Sequence, residues 1–406
     1  MTGDLQRLKL DQRAEVYKSG HLAGHLVRTE QGGTIFVYDA AYVEAGKPPV
    51  AFSLPLSDAE VSASNGAVPP FFAGLLPEGH RLTMLRDATK TSLDDELTLL
   101  MAVGADVPGD VQIIPEGASL VPPRALAEVS VPQELDFEAL AHTLDLQGVP
   151  GVQSKVSATM LTTPVAISGR SYLLKLDPAT NPHLVVNEAA HLVGARGLRI
   201  PVAQAQVVVD RVGRNGLLVT RFDRVTNTDN VSSGQVHGSQ LRLPLEDGTQ
   251  VLGLPPAAKY AVESEAVALA LAGHCVAPKV ALRNLYLQFV YAWLTGNGDL
   301  HAKNLSILGN QRSEFSVAPV YDVPCTVLYG DETMALSIAG KVRRIRARHW
   351  AEFADSLGIP QRAAAAVNQI ALRAAARVEL EKLPFRGSPL RGTQRELSIR
   401  REEFGG

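Results

Sequence analysis

Cysteine is almost missing from this chain: Cys275 and Cys325 are the only two among 406 residues, and neither has a second cysteine near it in sequence. That argues against a disulfide framework and against a cysteine-ligated zinc site, and it fits a reducing compartment. Long apolar runs are missing as well. The N-terminal MTGDLQRLKLDQRAEVYKSG has no apolar stretch after its charges, and no run of 18 apolar residues follows, so the expectation is a cytoplasmic chain with no membrane contact. Neither sign of charge dominates. With 39 Lys+Arg against 42 Asp+Glu the net charge is −3, so any contact with nucleic acid or an anionic surface has to be local. The chain also lacks G-x-x-x-x-G-K-[ST], G-x-G-x-x-G, H-E-x-x-H and G-x-S-x-G, which removes the simplest P-loop, Rossmann, zincin and hydrolase readings.

What is present is an ordinary globular mixture, 46% hydrophobic and 20% charged. A chain of this length should form two or three domains and remove roughly 75% of its unfolded surface from water. From His21 to about Leu54, β-branched and aromatic runs broken by Gly32-Gly33 read as short strands with a hairpin turn. Arg81 to Val103 has leucines at helical spacing and no internal Pro or Gly, which predicts one or two helices. Four prolines between Ile114 and Glu134 mark a connector. The runs YLLKL, QAQVVVD and GLLVTRF then read as strands around a helix from Asn187 to Arg196, and helical patterns take over after Ala261. The predicted architecture is α+β: a β-rich N-terminal subdomain (1–115), an α+β lobe (116–273) and an all-helical C-terminal lobe (274–406). His21 and His25 lie in strand-like sequence, where a spacing of four sets no common face, so they read as ordinary histidines.

The segment GNGDLHAKNLSIL, Gly296 to Leu308, is the informative one. Asp299 and Asn304 stand five apart, the spacing at which a protein-kinase loop presents a carboxylate to a hydroxyl and an amide oxygen to a metal ion. Eighteen residues on, Asp322 follows a strand-like run, where a second carboxylate can bind Mg²⁺. A nucleotide half should then lie upstream. Lys175 sits in the apolar run SYLLKLDP, where an ammonium needs an anionic partner, and Glu188 follows thirteen residues later in a helix. Before them comes GVPGVQSKVS, Gly148 to Ser157, whose Gly151, Val152 and Gln153 could bring backbone N–H groups to phosphate. GLLVTRFDR, with Thr220, Phe222 and Asp223, ends a strand where kinases place the hinge that meets adenine. Each piece alone has a bland reading as a turn, a snorkelling lysine or a chance spacing. Their joint order is the argument for a bilobal, protein-kinase-like fold.

FFAGLLPEGHRL, GVQSK, YLLKLDP, VVNEAAHLVGARGLRIPVA, LVTRFDR, LEDGTQVLGLPPAAKY, GNGDLHAKN and APVYDV, in this order across about residues 15 to 380, resemble the HipA family of serine/threonine protein kinases. The resemblance implies a bacterial toxin of a toxin–antitoxin pair that uses ATP and Mg²⁺ to phosphorylate an aminoacyl-tRNA synthetase or another translation protein. It implies a HipB-like helix-turn-helix antitoxin as partner, with operator DNA reached through that complex. Residue by residue it makes Asp299 the catalytic base, Asn304 and Asp322 the Mg²⁺ ligands and Lys175 the phosphate-contacting lysine. Thr220 and Phe222 would offer backbone groups to adenine, and Glu246 and Asp247 would lie near the cleft. Lys303 would neutralise the transferring phosphoryl group, with His301 beside it.

The chain departs from the family pattern at Gly148, where HipA proteins commonly carry a serine whose autophosphorylation silences the kinase; Ser154 and Ser157 lie further along the segment. KVRRIRAR, Lys341 to Arg348, is a basic stretch that reads either as a nucleic-acid contact or as a solvated face. A lipid or small-molecule kinase and a catalytically silent co-repressor are the alternative readings. The base is expected to be partly exposed.

Overall fold

The computed structural model describes residues 5–121, 127–141, 160–167, 170–178, 180–226 and 240–405. Its N-terminal unit is a five-stranded antiparallel sheet: β1 (Arg13–Lys18), β2 (His21–Arg28), β3 (Thr34–Tyr38), β4 (Val61–Ala63) and β5 (Val111–Pro115), in the order β4-β3-β2-β1-β5. The strands alternate buried and half-exposed side chains, as a sheet with one covered face requires. That face packs on α1 (Gly79–Thr89) and α2 (Glu96–Val103), so the predicted helical stretch is two helices. Phe36, Phe72, Leu97 and Leu100 are buried in a core that belongs to this unit.

The second lobe holds β6 (Glu128–Val129), β7 (Leu161–Ile167), β8 (Arg170–Leu176), β9 (Ala205–Val209) and β10 (Asn215–Thr220), in the order β6-β7-β8-β10-β9. Every pairing is antiparallel except β6 with β7. The helix α3 (Leu184–Ala195) starts earlier than its sequence pattern suggests, because the Asp177 carboxylate accepts the N–H groups of His183 and Val185 and satisfies the first turn.

A two-stranded ribbon, β11 (Arg224–Thr226) with β12 (Gln240–Arg242), leads to β13 (Leu245–Asp247), which pairs with β14 (Ser306–Gly309). β15 (Phe315–Val317) completes that sheet. The C-terminal lobe is therefore not all helical: β14, which follows the loop 296–304, pairs with a strand from before residue 273. The longer helices that follow are α4 (Ser264–Gly273), α5 (Pro278–Thr295), α6 (Ala347–Ser356), α7 (Gln361–Ala375) and α8 (Gly387–Glu402). α4 also joins the helical lobe, with Val267, Ala268 and Leu271 in a core shared with α5 and with Leu184, Leu217 and Val219 of the second lobe. α5 begins on Pro278 and is buried continuously from Leu285 to Thr295. It stops at Gly296, whose φ of 71° is the left-handed cap that frees the chain to turn into the loop. Among the described residues no helix is long and apolar enough to cross a membrane.

Candidate active site

Three elements bring the predicted nucleotide and metal residues together. Strand β8 carries Lys175, whose Nζ lies 2.7 and 2.9 Å from the two oxygens of Glu188 on α3 and 2.8 Å from Oδ1 of Asp322. Burial alone would lower the Lys175 pKa, but the charges of Asp322 and Glu188 reverse that and raise it, so the ammonium stays charged. Burial likewise works against Asp322, and Lys175 overcomes it and holds that carboxyl below its usual range. Glu188 is the more enclosed partner, and burial pushes it up to about 7 against the pull of Lys175. Asp322 has a φ of 56°, a conformation that costs a non-glycine residue of order 1–3 kcal/mol. Strain of that kind persists only where the surroundings enforce it.

Those surroundings are two asparagines. Asn187, the residue before Glu188, donates its Nδ2 to the Cys325 carbonyl and accepts the Cys325 N–H, each at 3.0 Å. Asn297 accepts the Asp299 N–H at 2.9 Å and donates to the Asp322 carbonyl at 3.4 Å. Asn304 donates to the Asp299 carbonyl at 2.9 Å and lines the same cleft as Asp322. Sequence reasoning missed Asn187 and Asn297. The only available signal was that each directly precedes, or nearly precedes, a residue that was picked.

Asp299 is fully buried, contrary to the expectation of partial exposure, because the loop lies under Tyr260, whose hydroxyl donates to Oδ1 at 2.9 Å. His301 is buried too, and burial, with Lys259 and Lys303 nearby, lowers its pKa to about 3, so the ring is neutral. Neither of its ring nitrogens has a partner among the described residues. Lys303 does not stand free to meet phosphate: its Nζ is 3.0 Å from both the Gly74 carbonyl and Oδ2 of Asp247. Asp247 caps the short helical turn Gly248–Val251, and Glu246 accepts the Phe52 N–H with oxygens at 3.1 and 3.2 Å. The E-D pair therefore ties the loop to its neighbours, one residue inward and one towards the N-terminal unit.

The cleft between the lobes is lined by two chemically different sets of side chains. Met160, Leu173, Ala203 and Val219 give it apolar lining, and Lys175, Glu188, Lys303, Asn304 and Asp322 give it charged and polar lining. Thr220, Phe222 and Asp223 also border it, but the Thr220 N–H is already given to the Gln204 carbonyl at 2.8 Å. Asp223 is committed elsewhere. Burial would raise its pKa, yet Arg221 and Arg224 hold it well below the usual carboxylate range, and its Oδ2 accepts the Gly109 N–H at 3.1 Å. It is part of a buried network that also includes Asp106 of the N-terminal unit. Gly151, Val152 and Gln153, like Gly148, Ser154 and Ser157, lie outside the described residues. Among the described residues no three His, Cys, Asp or Glu side chains cluster as a metal site.

The chain matches the HipA N-terminal domain over residues 14–114 and the HipA-like C-terminal domain over residues 148–378, more than half its length. It belongs to the HipA family. Relatives include two candidate kinases of Sinorhizobium fredii, Y4dM and Y4mE, each 30% identical, covering 79% of both chains for the first and 85% of both for the second. The serine/threonine-protein kinase toxin HipA of Shewanella oneidensis is 27% identical over 77% of this chain and 76% of its own. A solved complex of Shewanella oneidensis HipA, HipB and operator DNA shares the fold, with a TM-score of 0.74, 22% identity and 96% of each chain covered.

Proposed function

We propose that the protein is an ATP- and Mg²⁺-dependent serine/threonine protein kinase acting as the toxin of a HipA-type pair. The observation that carries this reading is the ion triad of Lys175 with Glu188 and Asp322, facing a loop that presents Asp299 and Asn304. The residue types suit Mg²⁺, since Asp322 and Asn304 line one cleft and each carries a side-chain oxygen of the kind that hard cation takes. Asp322 and Asn304 would hold the ion, and when bound it supplies positive charge against that of the phosphates. The apolar lining of the cleft suits a purine, and Lys175 suits phosphate oxygens.

Asp299 is the general base in this reading. It accepts the proton of a serine hydroxyl as that oxygen bonds to the γ-phosphorus and the bond to the β–γ bridging oxygen breaks. Tyr260 holds the carboxylate, and Asn297 holds the Asp299 backbone N–H. Lys303 acts at one remove, by fixing Asp247 and the loop. By family, the partner is a HipB-like antitoxin, operator DNA is met through that complex, and the substrate is a translation protein such as an aminoacyl-tRNA synthetase in the cytoplasm. The test is transfer of labelled γ-phosphate from ATP·Mg²⁺ into a host lysate, beside an Asp322→Asn control. A labelled protein absent from the control is the expected result. ATP binding with no labelled protein sends the reading to a small-molecule kinase or a silent co-repressor.

A further inference from the structure

The stretch FFAGLLPEG of the N-terminal unit does more than close that unit's core. Three of its acceptors face the catalytic lobe. The Phe71 carbonyl accepts from Nε2 of Gln250 at 3.1 Å, the Gly74 carbonyl from Nζ of Lys303 at 3.0 Å, and the Glu78 carboxylate pairs with Lys259. Gly74 has to be glycine for this approach, since a Cβ there would sit 2.9 Å from Cγ of Gln250.

The Glu78–Lys259 pair is nearly enclosed, its side chains 17% and 7% exposed, so solvent and salt screen it weakly. The next residue is Tyr260. Its hydroxyl donates to Oδ1 of the buried Asp299, and its ring stands edge-on to His301 at 5.0 Å and 83°. A hydrogen bond to a buried carboxylate is charge-assisted and about twice as strong as a neutral one. Tyr260 thus touches two side chains of the catalytic loop, and Lys259 ties the same short 3-10 turn, Pro256–Tyr260, to the other unit.

We propose that Tyr260 is a positioning residue for Asp299, and that the N-terminal unit sets its place through Glu78 and Lys259. The inference rests on the kinase reading for its rate measurement and on geometry alone for its second one. A displacement of about 1 Å at a reacting group costs on the order of 100-fold in rate. The N-terminal unit would then be part of the catalytic apparatus, which is why it also supplies Gly74, Leu75 and Pro108 to the cleft wall.

The experiment uses the full chain in four forms: wild type, Tyr260→Phe, Glu78→Lys and the reversed pair Glu78→Lys with Lys259→Glu. Tyr260→Phe keeps the ring and removes the hydroxyl. It should lower kcat about 10- to 100-fold with KM for ATP within about twofold, and speed hydrogen exchange of the backbone amides in 296–304. Glu78→Lys should do the same, and reversing the pair should restore both readouts, which a role of Glu78 independent of Lys259 would not predict. Wild-type kcat in Tyr260→Phe, or a reversed pair no better than Glu78→Lys alone, overturns the proposal. If the wild type transfers no phosphate, the kinase reading falls separately. The exchange measurement then decides: faster exchange in both single variants supports the positioning, and unchanged exchange overturns it.

Discussion

Asn187 grips Cys325 at two points, giving one hydrogen bond and taking one, each 3.0 Å long, from a side chain that is fully buried. The clamp welds α3 to the segment after Asp322, so Glu188 and Asp322 reach Lys175 from opposite sides as parts of one body. Asn187→Leu leaves the Cys325 N–H and carbonyl buried and unpaired, at about 1–3 kcal/mol for each. The expected result is a lower Tm and weaker nucleotide binding together, read by calorimetry and titration with ATP·Mg²⁺.

Lys175→Met removes the cation from between the buried Glu188 and the partly buried Asp322. Breaking a buried pair by deleting one partner costs about 3–5 kcal/mol, and here two partners are stranded. The variant should lose phosphoryl transfer and gain stability as pH falls, because protonating Glu188 and Asp322 then relieves the repulsion. Denaturant midpoints at two pH values check the sign. A variant as stable at high pH as at low pH contradicts it.

Asp299→Asn keeps the shape of the base and removes its charge. Transfer should fall by about 10²- to 10⁴-fold, the usual worth of a general base, with ATP affinity retained. Since Asp299 is fully buried and bonded to Tyr260, asparagine is a cleaner test than alanine.

His191 is fully buried, with Nδ1 2.8 Å from the Asn187 carbonyl, and burial lowers its pKa from 6.5 to about 4. A depressed folded pKa means the unfolded chain binds the proton first, so stability is intact above pH 6.5 and is lost as pH falls towards 4. The loss from this site is about 3 kcal/mol across that window, at ~1.4 kcal/mol per pH unit. A His191→Phe variant should show a shallower fall of Tm on acidification. An identical slope rules out the assignment.

The basic stretch Lys341–Arg348 is exposed at Lys341, Arg343, Arg344, Arg346 and Arg348, with Arg346 paired to Glu403. Charge reversal at Arg343 and Arg344 should weaken operator binding by the complex with the antitoxin and flatten its salt dependence, with kinase activity unaffected. Unchanged affinity across salt concentrations makes the stretch a solvated face.

The sequence by itself determined the ingredients and their order. An apolar helix ending on glycine, Asp299 and Asn304 five apart, a lysine inside an apolar strand and a glutamate on the next helix are local patterns, and local sterics and burial make them legible. The same reading expected an all-helical C-terminal lobe despite the strand-like run before Asp322, because three- and four-residue strands such as β14 and β15 weigh little beside long helical patterns. It also took Lys303 and Asp223 as contacts for the ligand, when their charges are satisfied by Asp247 and by Arg221 and Arg224. Only the tertiary structure decided which carboxylate faces which cation, that Asp299 is covered by Tyr260, and that Glu78 reaches Lys259 from 181 residues away. A buried charge takes whichever partner the packed chain brings within about 3 Å, and the choice among many like residues is made by the fold as a whole.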